Sequence, residues 1–234
     1  HIIVATPKHI SSWDIFNNIE YKHKISIIPY SIDVKYFNNK IFHKPAKLIK
    51  DRFKNKIIIF TLSRHVYYKG IRFLIDAMKE INNAMLLIGG NGPDTNKLKN
   101  YIAEKNLNEK IIFTGYISQN KLPSYYHAAD IFCLPSIEKS EAFGIAMAEA
   151  MACSKPIIVT KLNNGVNYVC TEENGITVRG GSVLEIVNAI KKLQCSKELR
   201  VQYGLKCKKR ILDLFNQDIM INKTISLYNK IQKD

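Results

Sequence analysis

Between residues 56 and 178 short apolar runs alternate with longer amphipathic ones, and no other feature of the sequence restricts its folding as much. The runs KIIIFTL (56–62), AMLLI (84–88), KIIFT (110–114), IFCL (131–134), PIIVT (156–160) and GITV (175–178) read as strands. Helical spacing fills the intervals at 70–81, 96–106, 121–128, 143–153 and 164–170. Repeated strand-helix units of this kind build a parallel sheet covered on both faces. The expected fold is therefore α/β, a Rossmann-like doubly wound parallel sheet.

Two regions stand outside this core. Residues 1–37 hold a strand-like run (HIIVAT), a helical pattern at 12–19 and the apolar segment ISIIPYSIDVKYF. From residue 182 onward the chain reads as three helices, LEIVNAIKKL and MINKTISLYNKI both showing apolar residues at helical spacing. Residues 38–55, polar and basic with Pro45, suit a loop or a short helix. A chain of 234 residues, 46% of them hydrophobic, fits one domain plus an extra piece. It opens at His1 rather than at a methionine, so the expectation is a piece whose missing part lies upstream. Neither a signal-peptide pattern nor an apolar run of roughly 18 residues occurs, and the piece is expected to be soluble.

The five cysteines are scattered, odd in number and without C-x-x-C spacing, which points to a reducing cytosol rather than to a disulfide framework or a zinc site. The net charge of +15 suits nucleic acid, an anionic membrane surface or an anionic small ligand. Nucleic acid is disfavoured, since no basic helix with interleaved aromatics is present. Abundant Lys, Ile and Asn along the whole chain offer a compositional reading of the same charge.

In an open parallel sheet the ligand lies beyond the carboxyl ends of the strands, so the residues just after each strand are the candidates. After the first strand of the core comes SRHVYYKG, with Arg64 and Lys69 on a turn closed by Gly70. A guanidinium fork and an ammonium point charge at a helix start suit a diphosphate, the alternative being a solvated basic loop. After the second comes GGNGPD, where Gly89 and Gly90 form a turn that lets a ligand approach the backbone. A dinucleotide fingerprint fails there, because Thr95 stands where the third glycine would be. After the third, Gly115 ends the strand, and Tyr116, Ile117 and Lys121 are placed to border a nucleobase.

The fourth strand leads into EAFGIAMAEAMA, an apolar helix of small residues bracketed by Glu141 and Glu149. Carboxylates beside buried surface need partners. At 1.5 Å rise per residue the two lie about 10 Å apart, at or beyond the roughly 5 to 9.5 Å of a glycosidase acid-base pair. That spacing suits gripping hydroxyl groups at two ends of one extended ligand, since each carboxylate accepts from neighbouring hydroxyls. His65 and His127 read as packing or surface residues. Tyr67 and Tyr68 either shape a pocket or cover the surface.

EAFGIAMAE resembles the E-x7-E motif of the family-4, or group 1, glycosyltransferases. SRHVYYKG is similar to their diphosphate-binding turn and LLIGGNGP to their glycine turn; IIFTGYIS, YYHAADIFCLPS and EAMACSKPIIVT follow in family order. The resemblance implies the carboxyl-terminal, donor-binding lobe of a two-lobe GT-B enzyme. It divides the chain into a remnant of the amino-terminal lobe and interlobe segment at 1–37, the nucleotide-sugar domain at 38–215 and a carboxyl-terminal helix at 216–234. By resemblance, Arg64 and Lys69 bind the donor diphosphate, Glu141 the hydroxyls of the transferred sugar and Glu149 the ribose, with backbone N–H groups near Phe143, Gly144 and Ile145 completing the site; both glutamates then look outward to the donor. The implied reaction is a retaining, metal-independent transfer of a hexose from a nucleoside diphosphate sugar to a lipid-linked glycan acceptor. Similarity to bacterial lipopolysaccharide core and O-antigen transferases favours mannose from GDP-mannose, with a UDP-linked hexose as competitor, in the cytoplasm or on the inner face of the cytoplasmic membrane. One departure is Pro29 followed by Tyr30 and Ser31, where the family commonly has Asn-Gly. The alternative is a non-catalytic basic module holding acidic lipid or nucleic acid, in which neither glutamate matters.

Overall fold

The computed structural model describes residues 1–12 and 23–232. In chain order its elements are β1 (Ile2–Val4), α1 (Pro7–Ser12), β2 (Ile25–Ile27), α2 (Val34–Phe37), α3 (His43–Asp51), β3 (Ile57–Leu62), α4 (Ile71–Ala77), β4 (Ala84–Gly89), α5 (Thr95–Glu104), β5 (Ile111–Gly115), α6 (Leu122–Ala128), β6 (Ile131–Leu134), α7 (Ile145–Ala152), β7 (Ile157–Thr160), α8 (Gly165–Val169), β8 (Gly175–Val178), α9 (Val183–Cys195), α10 (Lys197–Leu214) and α11 (Gln217–Ile231).

Strands β3 to β8 form one parallel sheet in the order β5-β4-β3-β6-β7-β8. Parallel neighbours require crossovers, which the helices supply. Side chains alternate strictly between the two faces. Ile58, Phe60, Phe132, Ile157 and Val159 share one core with Tyr126 of α6, Met147 and Met151 of α7 and Ile211 of α10. Ile59, Ile88, Ile131, Cys133 and Ile158 share the other with Leu74 of α4, Ile102 of α5 and Ile190 of α9. Both faces are dry, which is why these strands read as continuous apolar runs. The chain reverses direction of winding between β3 and β6, so a crevice opens at their carboxyl ends.

The strands and helices expected between 56 and 178 are all present, with shifted ends. The helix read at 143–153 begins only at Ile145, because Gly144 is left-handed at φ 77° and cannot lie in a helical turn. The helix read at 70–81 ends at Ala77 and tightens into a 3-10 turn, Met78–Glu80, before the extended, buried Ile81. Residues 38–55 take the short-helix alternative: a 3-10 turn, Lys40–Phe42, runs into α3, burying Phe42 and Ala46. Pro45 lies in the first turn of α3, where a missing N–H is tolerated.

At the start of the chain β1 and β2 pair in parallel as a separate two-stranded sheet. The helical pattern at 12–19 falls almost wholly on residues outside those described; the helix seen beside it is α1. The last three helices each start at a side-chain cap, Ser182 accepting from Glu185 N–H, Ser196 from Leu199 N–H and Asn216 from Ile219 N–H. Ile32 donates to the Phe215 carbonyl at 2.8 Å and bridges to Asn216, tying the early segment to the start of α11. All five cysteines are free thiols, and only Cys195 is exposed. Among the described residues no helix is long and apolar enough to cross a membrane.

Candidate functional site

The loops after β3, β4 and β5 are joined by main-chain hydrogen bonds. Ser63 donates to Gly89 O, His65 to Asn91 O at 2.9 Å, Asp94 to His65 O at 3.0 Å and Gly90 to Gly115 O at 2.9 Å. Gly90 sits at φ 97°, where a Cβ would lie 2.1 Å from the Ser63 carbonyl oxygen, so only glycine permits this approach. The buried His65 fills the space beneath, its Nδ1 at 2.8 Å from Thr95 Oγ1 and its Nε2 at 3.3 Å from Gly89 O. Burial pulls its pKa below the ordinary 6.5, as befits a packing histidine. Above it the exposed Arg64 lines a cavity of about 530 Å³ together with Ser63, Gly90 and Asn91.

Lys69 ends a 3-10 turn closed by Gly70 at φ 67°. A Cβ at Gly70 would meet the Pro135 carbonyl oxygen at 2.0 Å, and Ile137 N–H donates to Tyr68 O at 2.8 Å. The loop after β3 is thereby pressed onto the loop after β6, and Lys69 Nζ reaches Glu141 Oε2 at 2.5 Å. Ser136 Oγ donates to the same oxygen at 2.9 Å. The ammonium also lies 5.0 Å from the centre of the Tyr68 ring, a cation–π distance. Behind this pair Asn164 donates to the main-chain oxygens of Glu141 and Lys139 at 2.7 and 3.1 Å. Glu141 is only 8% exposed, and its charge is tolerable there because a cation and a hydroxyl meet it.

Lys69, Glu141, Phe143, Gly144 and Ile145 line a cavity of about 400 Å³ that meets the Arg64 cavity at Leu62 and Ser63. The amino end of α7 opens onto it, and Tyr30 closes one side with its ring edge-on to Phe143, centroids 5.2 Å apart. The Pro29-Tyr30 departure thus places an aromatic ring on the cavity wall.

Among the described residues neither wall includes Glu149. Its Oε2 accepts from the hydroxyl of the buried Tyr126 at 2.6 Å. Burial raises the Glu149 carboxyl above its ordinary value, the phenol hydrogen bond offsetting part of that rise. Burial and the nearby carboxylate raise the Tyr126 phenol well above its own. The two glutamates therefore differ: Glu141, on the wall, is ion-paired, and Glu149, off both walls, is held by a phenol. Gly89 is buried at the end of β4, with Ile117 packed against it. Tyr116 is 77% exposed and Lys121 occupies the cap position of α6, both on the outer rim. His127 Nε2 meets the Phe37 carbonyl at 2.7 Å, away from the crevice.

Ser136, Tyr126 and Asn164, which hold the two glutamates, escaped the sequence reading. Ser136 had a signal, since it follows β6 within two residues and polar side chains just past a parallel strand face the crevice. Tyr126 and Asn164 had none, because their partners are distant in sequence.

Residues 44–210 match the family model described as glycosyl transferases group 1. The chain belongs to that family. It is 23% identical to the O-antigen chain mannosyltransferase C of Escherichia coli, over 98% of this chain and 60% of the relative. It is 28% identical to the UDP-Gal:alpha-D-GlcNAc-diphosphoundecaprenol alpha-1,3-galactosyltransferase of Escherichia coli, over 88% of this chain and 54% of the relative. Anabaena HepE in complex with UDP and glucose superposes with a TM-score of 0.85 at 17% identity, covering 98% of this chain and 62% of that one. That likeness establishes the fold, the carboxyl-terminal lobe of the GT-B architecture. The chain spans under two thirds of each of these proteins.

Proposed function

We propose that this chain is the donor-binding lobe of a retaining glycosyltransferase that moves a hexose from a nucleoside diphosphate sugar to a lipid-linked glycan acceptor. The observation that carries the reading is the Lys69–Glu141 pair at the mouth of α7, with Arg64 on the adjoining wall. Departure of a nucleoside diphosphate develops negative charge on its phosphate oxygens. Fixed cations and helix N–H groups aimed at that charge stabilise the transition state without having to reorganise. In this reading Arg64 and Lys69 supply the cations and no metal is required. The free oxygen of Glu141 accepts from sugar hydroxyls while Oε2 keeps Lys69 in place. Tyr126 holds Oε2 of Glu149, leaving Oε1 to accept from the ribose.

For the donor we favour GDP-mannose, in line with the O-antigen mannosyltransferase relative. A UDP-linked hexose is the competitor, in line with the galactosyltransferase relative and the HepE complex. The acceptor would be a lipopolysaccharide core or another surface glycan presented at the inner face of the cytoplasmic membrane and held by an amino-terminal lobe. The test is calorimetric titration of the chain with GDP, UDP and GDP-mannose. Arg64→Ala should weaken nucleotide binding about tenfold or more, the loss expected for a charged hydrogen bond. Full affinity in that variant refutes the role, and tighter UDP than GDP binding transfers the donor to the uridine series. Binding carried by dispersed lysines and indifferent to Arg64, Glu141 and Glu149 would instead favour a non-catalytic basic module.

A further inference from the structure

At the opposite end of the sheet, where β3, β6 and β7 begin, lies a second pocket of about 500 Å³. Lys50, Lys56, Lys155, Lys197 and Arg200 reach it from four separate stretches of chain, and a single carboxylate, Asp130, joins them. That carboxylate is already engaged: Oδ1 takes Lys50 at 2.6 Å and Oδ2 takes the Ile58 N–H at 2.9 Å. Among the described residues Lys56, Lys155, Lys197 and Arg200 make no ion pair with a carboxylate. Their other contacts leave donors to spare. Lys155 Nζ donates to His127 O at 2.9 Å, and Arg200 uses Nη1 alone, on Leu193 O and Gln194 O.

Like charges crowded into a concave space repel each other; the exposed Glu198 carboxylate offsets part of this for Lys197 and Arg200, and an anion in the pocket would offset the rest. Lys197 adds to the cost as the first residue of the 18-residue helix α10, where the helix dipole disfavours a cation. We propose that this pocket binds a phosphate-bearing anion, with Lys155 as its inner cation and Lys56, Lys197 and Arg200 around the rim. A multi-oxygen dianion matches several donors converging from different directions, as a single carboxylate does not. In addition, burial pulls the Lys155 ammonium down to about 8, and a bound anion would raise it again. The pocket lies at the amino ends of the strands and the donor crevice at their carboxyl ends, so the two sites are separable by mutation.

Titration of the full chain with inorganic phosphate at low salt tests the site. Lys155→Met should weaken phosphate binding about tenfold or more. The exposed Lys56→Ala and Lys197→Ala should each weaken it about two- to fivefold. Arg64→Ala, at the other end of the sheet, should leave these losses unchanged. Absence of phosphate binding at millimolar concentration overturns the proposal, as does binding that is lost in Arg64→Ala and kept in the three lysine variants. Sedimentation with phosphatidylcholine vesicles, with and without phosphatidic acid, identifies the source. Phosphatidic-acid-dependent binding that phosphate competes away, and that Lys56→Ala weakens, assigns a lipid headgroup; phosphate binding without vesicle binding assigns a soluble phosphate.

Discussion

The two rims of the sheet carry the same sign of charge in opposite arrangements. At the carboxyl rim Lys69 is locked to Glu141, and the loops around it are joined by main-chain bonds and close glycine contacts. At the amino rim lysines face a pocket that, among the described residues, is lined by one carboxylate, already occupied. Lys69 at the first rim is therefore part of the fold, whereas Lys56 and Lys197 at the second are exposed and make no ion pair with a carboxylate among the described residues. A net charge of +15 conceals this difference completely.

Stability measurements offer the strongest way to break the contrast. Lys69→Ala should lower the unfolding free energy in urea by about 3 kcal/mol, because it strands a buried carboxylate. Lys56→Ala or Lys197→Ala should change it by less than about 0.5 kcal/mol. Equal losses at the two rims would erase the distinction. Next in size is Gly70→Ala, expected to cost about 2 kcal/mol through its left-handed backbone and the clash with the Pro135 carbonyl. A variant as stable as the parent would mean that the loops after β3 and β6 are not held against each other.

The smallest effect sharpens the contrast within the carboxyl rim, between Glu141 and Glu149. Burial raises the folded-state pKa of Glu149 above its ordinary 4.5, so the folded protein binds this proton more tightly than the unfolded chain. Such a carboxyl costs stability as the pH rises from its ordinary value through the raised one, and costs nothing below both. Glu149→Gln keeps an acceptor for Tyr126 and removes the titration. It should match the parent at pH 4 and exceed it slightly at pH 7, as read from urea midpoints at the two values. A midpoint below that of the parent at pH 7 would show that the ionised carboxylate is stabilising.

The fold was legible because its evidence is local and periodic. Apolar runs of four to seven residues at 56–62, 84–88 and 131–134 can be buried on both faces only in a parallel sheet, and that sheet order places the crevice. Site residues directly following a strand, such as Arg64, were equally visible. The partners of the glutamates were not, since Tyr126 and Asn164 each stand 23 residues from the glutamate they hold. The placing of Glu141 just before a helix that carries Glu149 was likewise readable, and Gly144, left-handed at φ 77°, sets where that helix begins. The phosphate pocket was invisible for the same reason as the glutamate partners: its lysines are scattered among many others and are gathered only by folding.

The main-chain bonds between the loops after β3 and β4 have a consequence for how this crevice can diversify. Because His65 and Asp94 fix the frame through backbone atoms, the exposed side chains of Asn91 and Pro93 are not needed to hold it. Those positions can be exchanged as interchangeable fittings on a fixed mount. A combinatorial library at Asn91 and Pro93 should therefore yield folded proteins at high frequency while altering what the crevice binds, as an antibody framework tolerates new loops.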